Sequence, residues 1–136
     1  MSKLSFGYRI ASFVIGHSGM KNMWGLPKEE LISKCEKINA KRPFKMPKDS
    51  KAVYEDHIVE GKYHLLEMRR SKERSERAIL CVYGSGMMTA ADTSDTGAAR
   101  KLGEKCNQDV WFPFYPLVTD HSVMDLMTMV LDSYLA

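Results

Sequence analysis

Residues 78–83, Ala-Ile-Leu-Cys-Val-Tyr, form an unbroken apolar run of strand length that stops at Gly84-Ser85-Gly86. A strand with no alternating polar residues is covered on both faces, as in a parallel sheet between two layers of helices. Beyond this run, helices and strands alternate. A helix is predicted near 94–107, with Ala98, Leu102 and Cys106 at i, i+4 and i+8. A strand is predicted at 110–115, with Pro113 awkward in its interior. Ser122 caps a last helix, with Asp125 in capping-box position and an apolar stripe of Val123, Leu126, Met127, Val130, Leu131 and Tyr134. Strands alternating with helices argue for right-handed βαβ crossovers and a largely parallel sheet.

The earlier chain reads differently. Phe6, Ile10, Phe13 and Val14 fit one face of a short helix, which Gly16, Gly19 and Gly25 interrupt. Pro27, Glu29 and Glu30 suit the first turn of a helix with a stripe of Leu31, Cys35 and Ile38, and Pro43 and Pro47 stop it. From Tyr54 the period becomes two. Residues 55–60 and 63–69 read as a hairpin about Gly61-Lys62. The mixed-charge run at 70–77 reads as a solvated connection rather than a phosphate-binding patch, because acidic residues alternate with basic ones. The expected fold class is therefore α/β, a three-layer αβα arrangement with about four strands and an N-terminal hairpin. Residues 1–53 form an N-terminal helical segment and residues 54–136 the core.

Composition excludes several functions. At 136 residues the chain is the size of one domain. A net charge of +3, from 20 basic and 17 acidic residues, does not predict a nucleic-acid or membrane partner. No apolar run approaches the roughly 20 residues of a membrane span. Cys35, Cys81 and Cys106 are too few and too widely spaced for a disulfide framework or a zinc site, so a reducing cytoplasmic location is the default. Cys81 and Cys106 read as small hydrophobes on a strand and a helix stripe. The ten methionines read as core filler. His57 and His64 fall in the hairpin, as surface or strand-packing residues. No histidine pair has metal-ligand spacing, so neither metal nor cofactor is expected.

The informative motif is Tyr83-Gly84-Ser85-Gly86-Met87-Met88, at the carboxyl end of a buried strand, where open α/β sheets place their ligands. It lacks the Lys of a phosphate-binding P-loop, and Thr89 stands where a dinucleotide fingerprint needs its third glycine. Two readings remain: a nest of backbone N–H donors able to hold an oxyanion, or a tight strand-to-helix turn.

The order of hairpin, buried strand, Tyr-Gly-Ser-Gly, helix, Asp109 to Leu117, Asp120-His121 and helix resembles the N-terminal half of an α/β-hydrolase, over roughly residues 54–136. The resemblance is to the esterase/lipase branch related to hormone-sensitive lipase, whose oxyanion loop reads His-Gly-Gly-Gly and whose next strand ends Asp-Tyr-Arg-Leu-Ala-Pro-Glu-His. It implies that the backbone N–H groups of Ser85 and Gly86 are the oxyanion donors, with Gly84 as turn residue. Tyr83 stands where that family has His, Ser85 where it has the middle Gly, and Tyr115-Pro116-Leu117 lacks its Arg. His121 matches a structural His, not the catalytic base. The implied activity is hydrolysis of a small-acyl carboxylic ester, with the substrate as a small-molecule partner.

No Gly-x-Ser-x-Gly nucleophile elbow occurs. Gly16-His17-Ser18-Gly19 comes nearest, but Met20 fills the last glycine position and the motif precedes the hairpin. Ser18 therefore reads as a turn residue. The resemblance thus implies a chain truncated before the elbow, with nucleophile, acid and base all absent and no turnover of its own. The alternative is a non-catalytic α/β module binding an anion or a partner, or a gene remnant. With the family's strand order 1-2-4-3-5, strand 78–83 is left as an apolar edge. That edge is expected to pair with a complementary half or with a second copy.

Overall fold

The computed structural model describes residues 25–135 together with Ser5, Gly7, Tyr8, Ile10, Ser12, Phe13 and Met20–Met23. Phe6, Val14, Gly16, His17, Ser18 and Gly19 lie outside the described residues. The chain divides into two compact units, residues 1–34 and 35–136, so residues 35–53 group with the core. In the first unit, Gly7, Tyr8, Ile10, Ser12 and Phe13 are helical, and Met20–Met23 make a single helical turn. The helix predicted after Pro27 is α1, Lys28–Asn39, with Glu29 and Glu30 in its first turn.

The second unit holds one four-stranded sheet. Its strands are β1 (Val53–Val59), β2 (Tyr63–Arg69), β3 (Ala78–Leu80) and β4 (Asp109–Pro113). Their order is β1-β2-β4-β3. β1 and β2 are the antiparallel hairpin, with Val59 opposite Tyr63 across the turn. Glu60 and Gly61 take positive φ, 51° and 71°, to reverse the chain. β2 pairs antiparallel with β4, and β4 pairs parallel with β3. The helices are α2 (Thr93–Cys106), which connects β3 to β4, and α3 (Val123–Leu135). The order of elements, the hairpin and the single βαβ crossover agree with the sequence expectation; the largely parallel sheet does not, because β2 pairs antiparallel with both of its neighbours and only β3 and β4 run parallel.

β2 shows why this sheet needs two covering layers. Leu65, Leu66, Glu67 and Met68 are all buried, so both faces of the strand are closed. Leu66 and Met68 sit opposite Phe112 and Val110 on the α2 face. Ile79 joins them beside Val110. By alternation Leu80 and Val82 turn to the other face, where they line a groove with α3 residues.

The helix stripes read from sequence are corrected. α2 does not bury Leu102 or Cys106, which are exposed; it buries Ala99 and Gly103. The reason is close approach. A Cβ on Gly103 would lie 2.6 Å from Val110 Cγ2 and 2.8 Å from the Gln108 carbonyl oxygen. Only small residues fit that seam, so the large apolar residues lie beside it. α3 buries Leu126, Met129 and Ser133. Val123, Met127, Leu131 and Tyr134 of the expected stripe stay exposed, at 48%, 58%, 56% and 73%.

The apolar run 78–83 is likewise not covered on both faces. Regular pairing ends at Leu80, although the Cys81 N–H still donates to the Trp111 carbonyl at 2.8 Å, and Val82 is 48% exposed. β3 is an edge of the sheet, so one of its flanks and part of the α3 face have nothing against them among the described residues. The loop at 70–77 is not merely solvated. Asp109, 2% exposed, accepts from the N–H groups of Arg70 (3.2 Å) and Ser75 (2.6 Å), and Arg74 reaches back to buried Glu67.

The Ser122 cap forms as expected. Ser122 and Asp125 close a reciprocal box at α3, with Ser122 N–H to Asp125 at 2.9 Å and Asp125 N–H to Ser122 Oγ at 3.2 Å. Asp92 and Asp95 form a second box at α2, and Asn107 ends α2 in the left-handed region at φ 58°. No helix among the described residues is long and apolar enough to cross a membrane.

Gly103 and Gly97 share one helix but not one environment, and this gives a paired test. Gly103→Ala drives a methyl into backbone and should lose about 2 kcal/mol or more of unfolding free energy. Gly97→Ala meets nothing within 4 Å and should gain up to about 1 kcal/mol from helix propensity. Urea denaturation of both variants checks the contrast; equal effects would mean that α2 does not pack through Gly103.

Candidate functional site

The loop from Gly84 to Asp92 leaves the carboxyl end of β3 and enters α2. Two consecutive residues in it are left-handed, Gly86 at φ 62° and Met87 at φ 61°. The turn therefore falls later than the sequence reading placed it. Gly84 has no positive φ, and a Cβ there would meet nothing within 4 Å. Neither conformation nor space requires a glycine there, whereas at Gly86 it relieves a conformation that costs other residues about 1–2 kcal/mol. Met87 carries that strain itself. Its carbonyl oxygen is fixed by the Val118 N–H at 2.9 Å.

The donors matter most. Among the described residues, the N–H groups of Ser85 and Gly86 form no hydrogen bond within the fold. Successive main-chain N–H groups in such a turn make a concavity suited to an anion. Ser85 Oγ is buried next to the Tyr115 hydroxyl but outside hydrogen-bonding geometry. Among the described residues no histidine is bonded to it.

Below the loop stands an aromatic stack. Tyr83 lies nearly parallel to Tyr115, with ring centroids 4.3 Å apart, and to Phe112 at 5.4 Å. The Tyr115 hydroxyl donates to the Tyr83 carbonyl at 2.6 Å. Burial pushes both phenols above their ordinary pKa. They are therefore neutral rigid supports rather than acid–base groups. Tyr83 is thus a buried aromatic platform beneath the loop.

Two residues that sequence reasoning missed hold the loop from the side. Asn39, the last residue of α1, donates from its amide nitrogen to the Met88 carbonyl at 3.0 Å. Its amide oxygen accepts from the Ala90 N–H at 2.8 Å. Arg42 donates to the Ala90 carbonyl at 3.0 Å and pairs with Asp92 at 3.2 Å. The only sequence signal was an Asn and an Arg bracketing the end of a helix, which reads equally as a C-cap and a surface charge.

The remaining candidates lie elsewhere. His57 contacts Glu67 at 2.9 Å, and His64 contacts Asp56 at 2.8 Å while stacking on Phe44. His121 is exposed, with its ring edge toward Tyr63 and Asp120 3.8 Å away. Cys35 is buried, Cys81 half-buried and Cys106 exposed, and burial raises the thiols of Cys35 and Cys81. Neither of these two is an activated thiolate. Glu55, His57 and Glu67 bring ligand-type atoms within 4.8 Å of one another. Guanidinium groups already hold both carboxylates: Arg74 grips Glu67 through two nitrogens at 3.0 Å, and Arg69 meets Glu55 at 3.1 Å. A metal would have to displace these cations, so the cluster is an ion-pair network.

Among proteins of known structure, the fold is similar to part of those of several esterases. A hormone-sensitive-lipase-family esterase superposes on 99% of this chain with TM-score 0.60 and 15% identity. An esterase from Pyrobaculum calidifontis covers 96% with TM-score 0.60 and 14% identity. An esterase/lipase from an uncultured bacterium covers 81% with TM-score 0.59 and 14% identity. This chain spans only 43%, 41% and 35% of those proteins' lengths. No protein-family model matches the sequence, and no curated protein does. At these identities the likeness establishes architecture: a partial α/β-hydrolase fold.

The clamp and the strained turn make opposite predictions. Asn39→Ala removes two hydrogen bonds to the loop and should lower unfolding free energy by about 1–3 kcal/mol. Met87→Gly relieves a left-handed residue and should raise it by up to about 1 kcal/mol. Chemical denaturation measures both; an unchanged Asn39→Ala midpoint would mean the amide does not clamp the loop.

Proposed function

We propose that this chain is the oxyanion-hole-bearing N-terminal portion of a serine carboxylic-ester hydrolase acting on small acyl esters. The observation that carries the reading is the pair of unbonded N–H groups at Ser85 and Gly86, at the carboxyl end of β3 in a sheet of order β1-β2-β4-β3. In such an enzyme a serine attacks the ester carbonyl and these two donors hold the tetrahedral oxyanion. Each donor typically contributes about 3 kcal/mol to the transition state. The nucleophile, acid and base come from residues other than those of this chain. The three free thiols fit a reducing, cytoplasmic setting.

The partner this reading requires is the strand-and-helix segment that continues a hydrolase sheet beyond β3. Leu80 and Val82 with Leu126, Met127, Val130, Leu131 and Tyr134 line a groove of about 360 Å³ with almost no polar surface. An apolar edge without Lys or Pro invites strand addition. The matched esterases are more than twice as long as this chain, which leaves ample length in them for such a segment.

Two measurements test this reading. The chain alone should not hydrolyse p-nitrophenyl acetate or butyrate above background. Fused to the remaining residues of a hormone-sensitive-lipase-type esterase, it should hydrolyse them. A folded fusion whose elbow serine reacts with a fluorophosphonate but that turns over no ester would favour the non-catalytic binding module. Activity in the isolated chain that disappears with Ser18→Ala would relocate the nucleophile. In light scattering, the chain alone should associate and Val82→Lys should reduce that association. A monodisperse monomer with a sharp reversible transition would mean that the groove needs no cover.

A further inference from the structure

A second concavity lies away from the loop, between residues 41–51 and α2, with a volume of about 910 Å³. Its charge is unlike that of the rest of the chain. Seven of the 20 basic residues line it and only two of the 17 acidic ones, so the remainder of the chain is net negative. Both acidic groups are already engaged. Asp49 accepts from the Lys51 N–H (3.0 Å) and the Tyr54 hydroxyl (2.8 Å), and Asp92 caps α2 and pairs with Arg42. Among the described residues, Lys41, Lys45, Lys48, Lys51 and Lys101 have no carboxylate partner.

The spacing is regular. Arg42, Lys45, Lys48 and Lys51 recur every third residue in a segment that also carries Pro43 and Pro47. Residues 42–48 are in neither helix nor strand, and the chain bends at 49–52, where Lys51 rejoins the same cleft. All four line the same cleft. The segment is also pinned. Arg42 bonds the Ala90 carbonyl, Phe44 stacks on His64 with centroids 3.9 Å apart, and Asp49 receives Tyr54. Cations held on a fixed backbone cost less ordering on binding than cations on a free loop. The walls between them are apolar, with Pro43, Met46, Tyr54 and Phe114 among the lining residues. Burial, then the bond to Asp49, pushes the Tyr54 hydroxyl up to about 12, so that ring stays neutral.

We propose that this cleft binds a small organic polyphosphate, a molecule of nucleotide size with two or more phosphate groups and an apolar or planar body. Lysine ammonium groups serve as point charges for phosphate, and a row of them matches a chain of phosphates better than a single carboxylate. The volume falls within the range of small-molecule sites, and the apolar walls suit the organic part.

The test is isothermal titration of the full chain with ATP, inorganic tripolyphosphate, citrate and a single-stranded oligonucleotide at fixed ionic strength. One ATP should bind per chain, more tightly than tripolyphosphate and at least tenfold more tightly than citrate. Binding should weaken as salt rises. Lys45→Gln with Lys48→Gln should weaken ATP binding at least tenfold, while Lys72→Gln, on the β2–β3 connection, should leave it unchanged. Denaturation midpoints confirm that all variants are folded. Equal losses from Lys72→Gln and the cleft variant, citrate binding as tightly as ATP, no binding at millimolar ATP, or tighter binding of a single-stranded oligonucleotide would each overturn the proposal.

Discussion

The seam between Gly103 and Val110 is the constraint on which the rest of the second unit depends. A methyl group does not fit there, because Val110 Cγ2 and the Gln108 carbonyl already stand within 3 Å of where it would be. That closeness sets α2 against β4, and β4 pairs with β2 on one side and β3 on the other. With β3 and α2 both fixed, the loop between them has fixed ends. Its twelve residues, 81–92, reverse direction in that space, with Gly86 and Met87 in left-handed conformations. Asn39 and Arg42 then hold the far side of the loop, leaving the N–H groups of Ser85 and Gly86 without a partner among the described residues.

The same geometry separates the loop's chemistry from a nucleophile's. The histidines of the hairpin are engaged with Glu67 and Asp56, on residues remote in sequence from the loop. The phenols beneath it are neutral supports. What the loop offers is oriented dipoles, which act on charge that develops nearby and need no proton transfer of their own. The cationic cleft offers the opposite: full charges on a pinned stretch of chain, suited to a ligand already charged. These are two different electrostatic settings, and Arg42 touches both, through the Ala90 carbonyl and the cleft wall.

The architecture was legible because the period changed where the structure changes. The hairpin about Gly61, the strand at 78, the helix ending at Asn107 and the Ser122 cap all carry local signals that tertiary packing did not override. The helix faces were misread for one physical reason. A hydrophobic stripe marks a buried face only when the neighbouring surface stands far enough away for large side chains. At α2 it does not, and Ala99 and Gly103 face the sheet while Leu102 is exposed. At α3 the stripe is apolar over a wider arc than the sheet covers, so Met129 is buried and Leu131 is not. Asn39 was invisible because its partners, Met88 and Ala90, lie some 50 residues away in sequence. The three-residue lysine period was readable in principle, but it means little until α2 supplies the opposite wall.

The central claim is that the donors of Ser85 and Gly86 stand free and available. Amide hydrogen exchange, read residue by residue by NMR, addresses it directly. Cys81 N–H, bonded to Trp111, and Val118 N–H, bonded to Met87, serve as internal references. The account predicts that Ser85 and Gly86 exchange rapidly while both references are protected. Protection of Ser85 and Gly86 equal to that of Cys81 would show that the fold itself consumes these donors, and would contradict it.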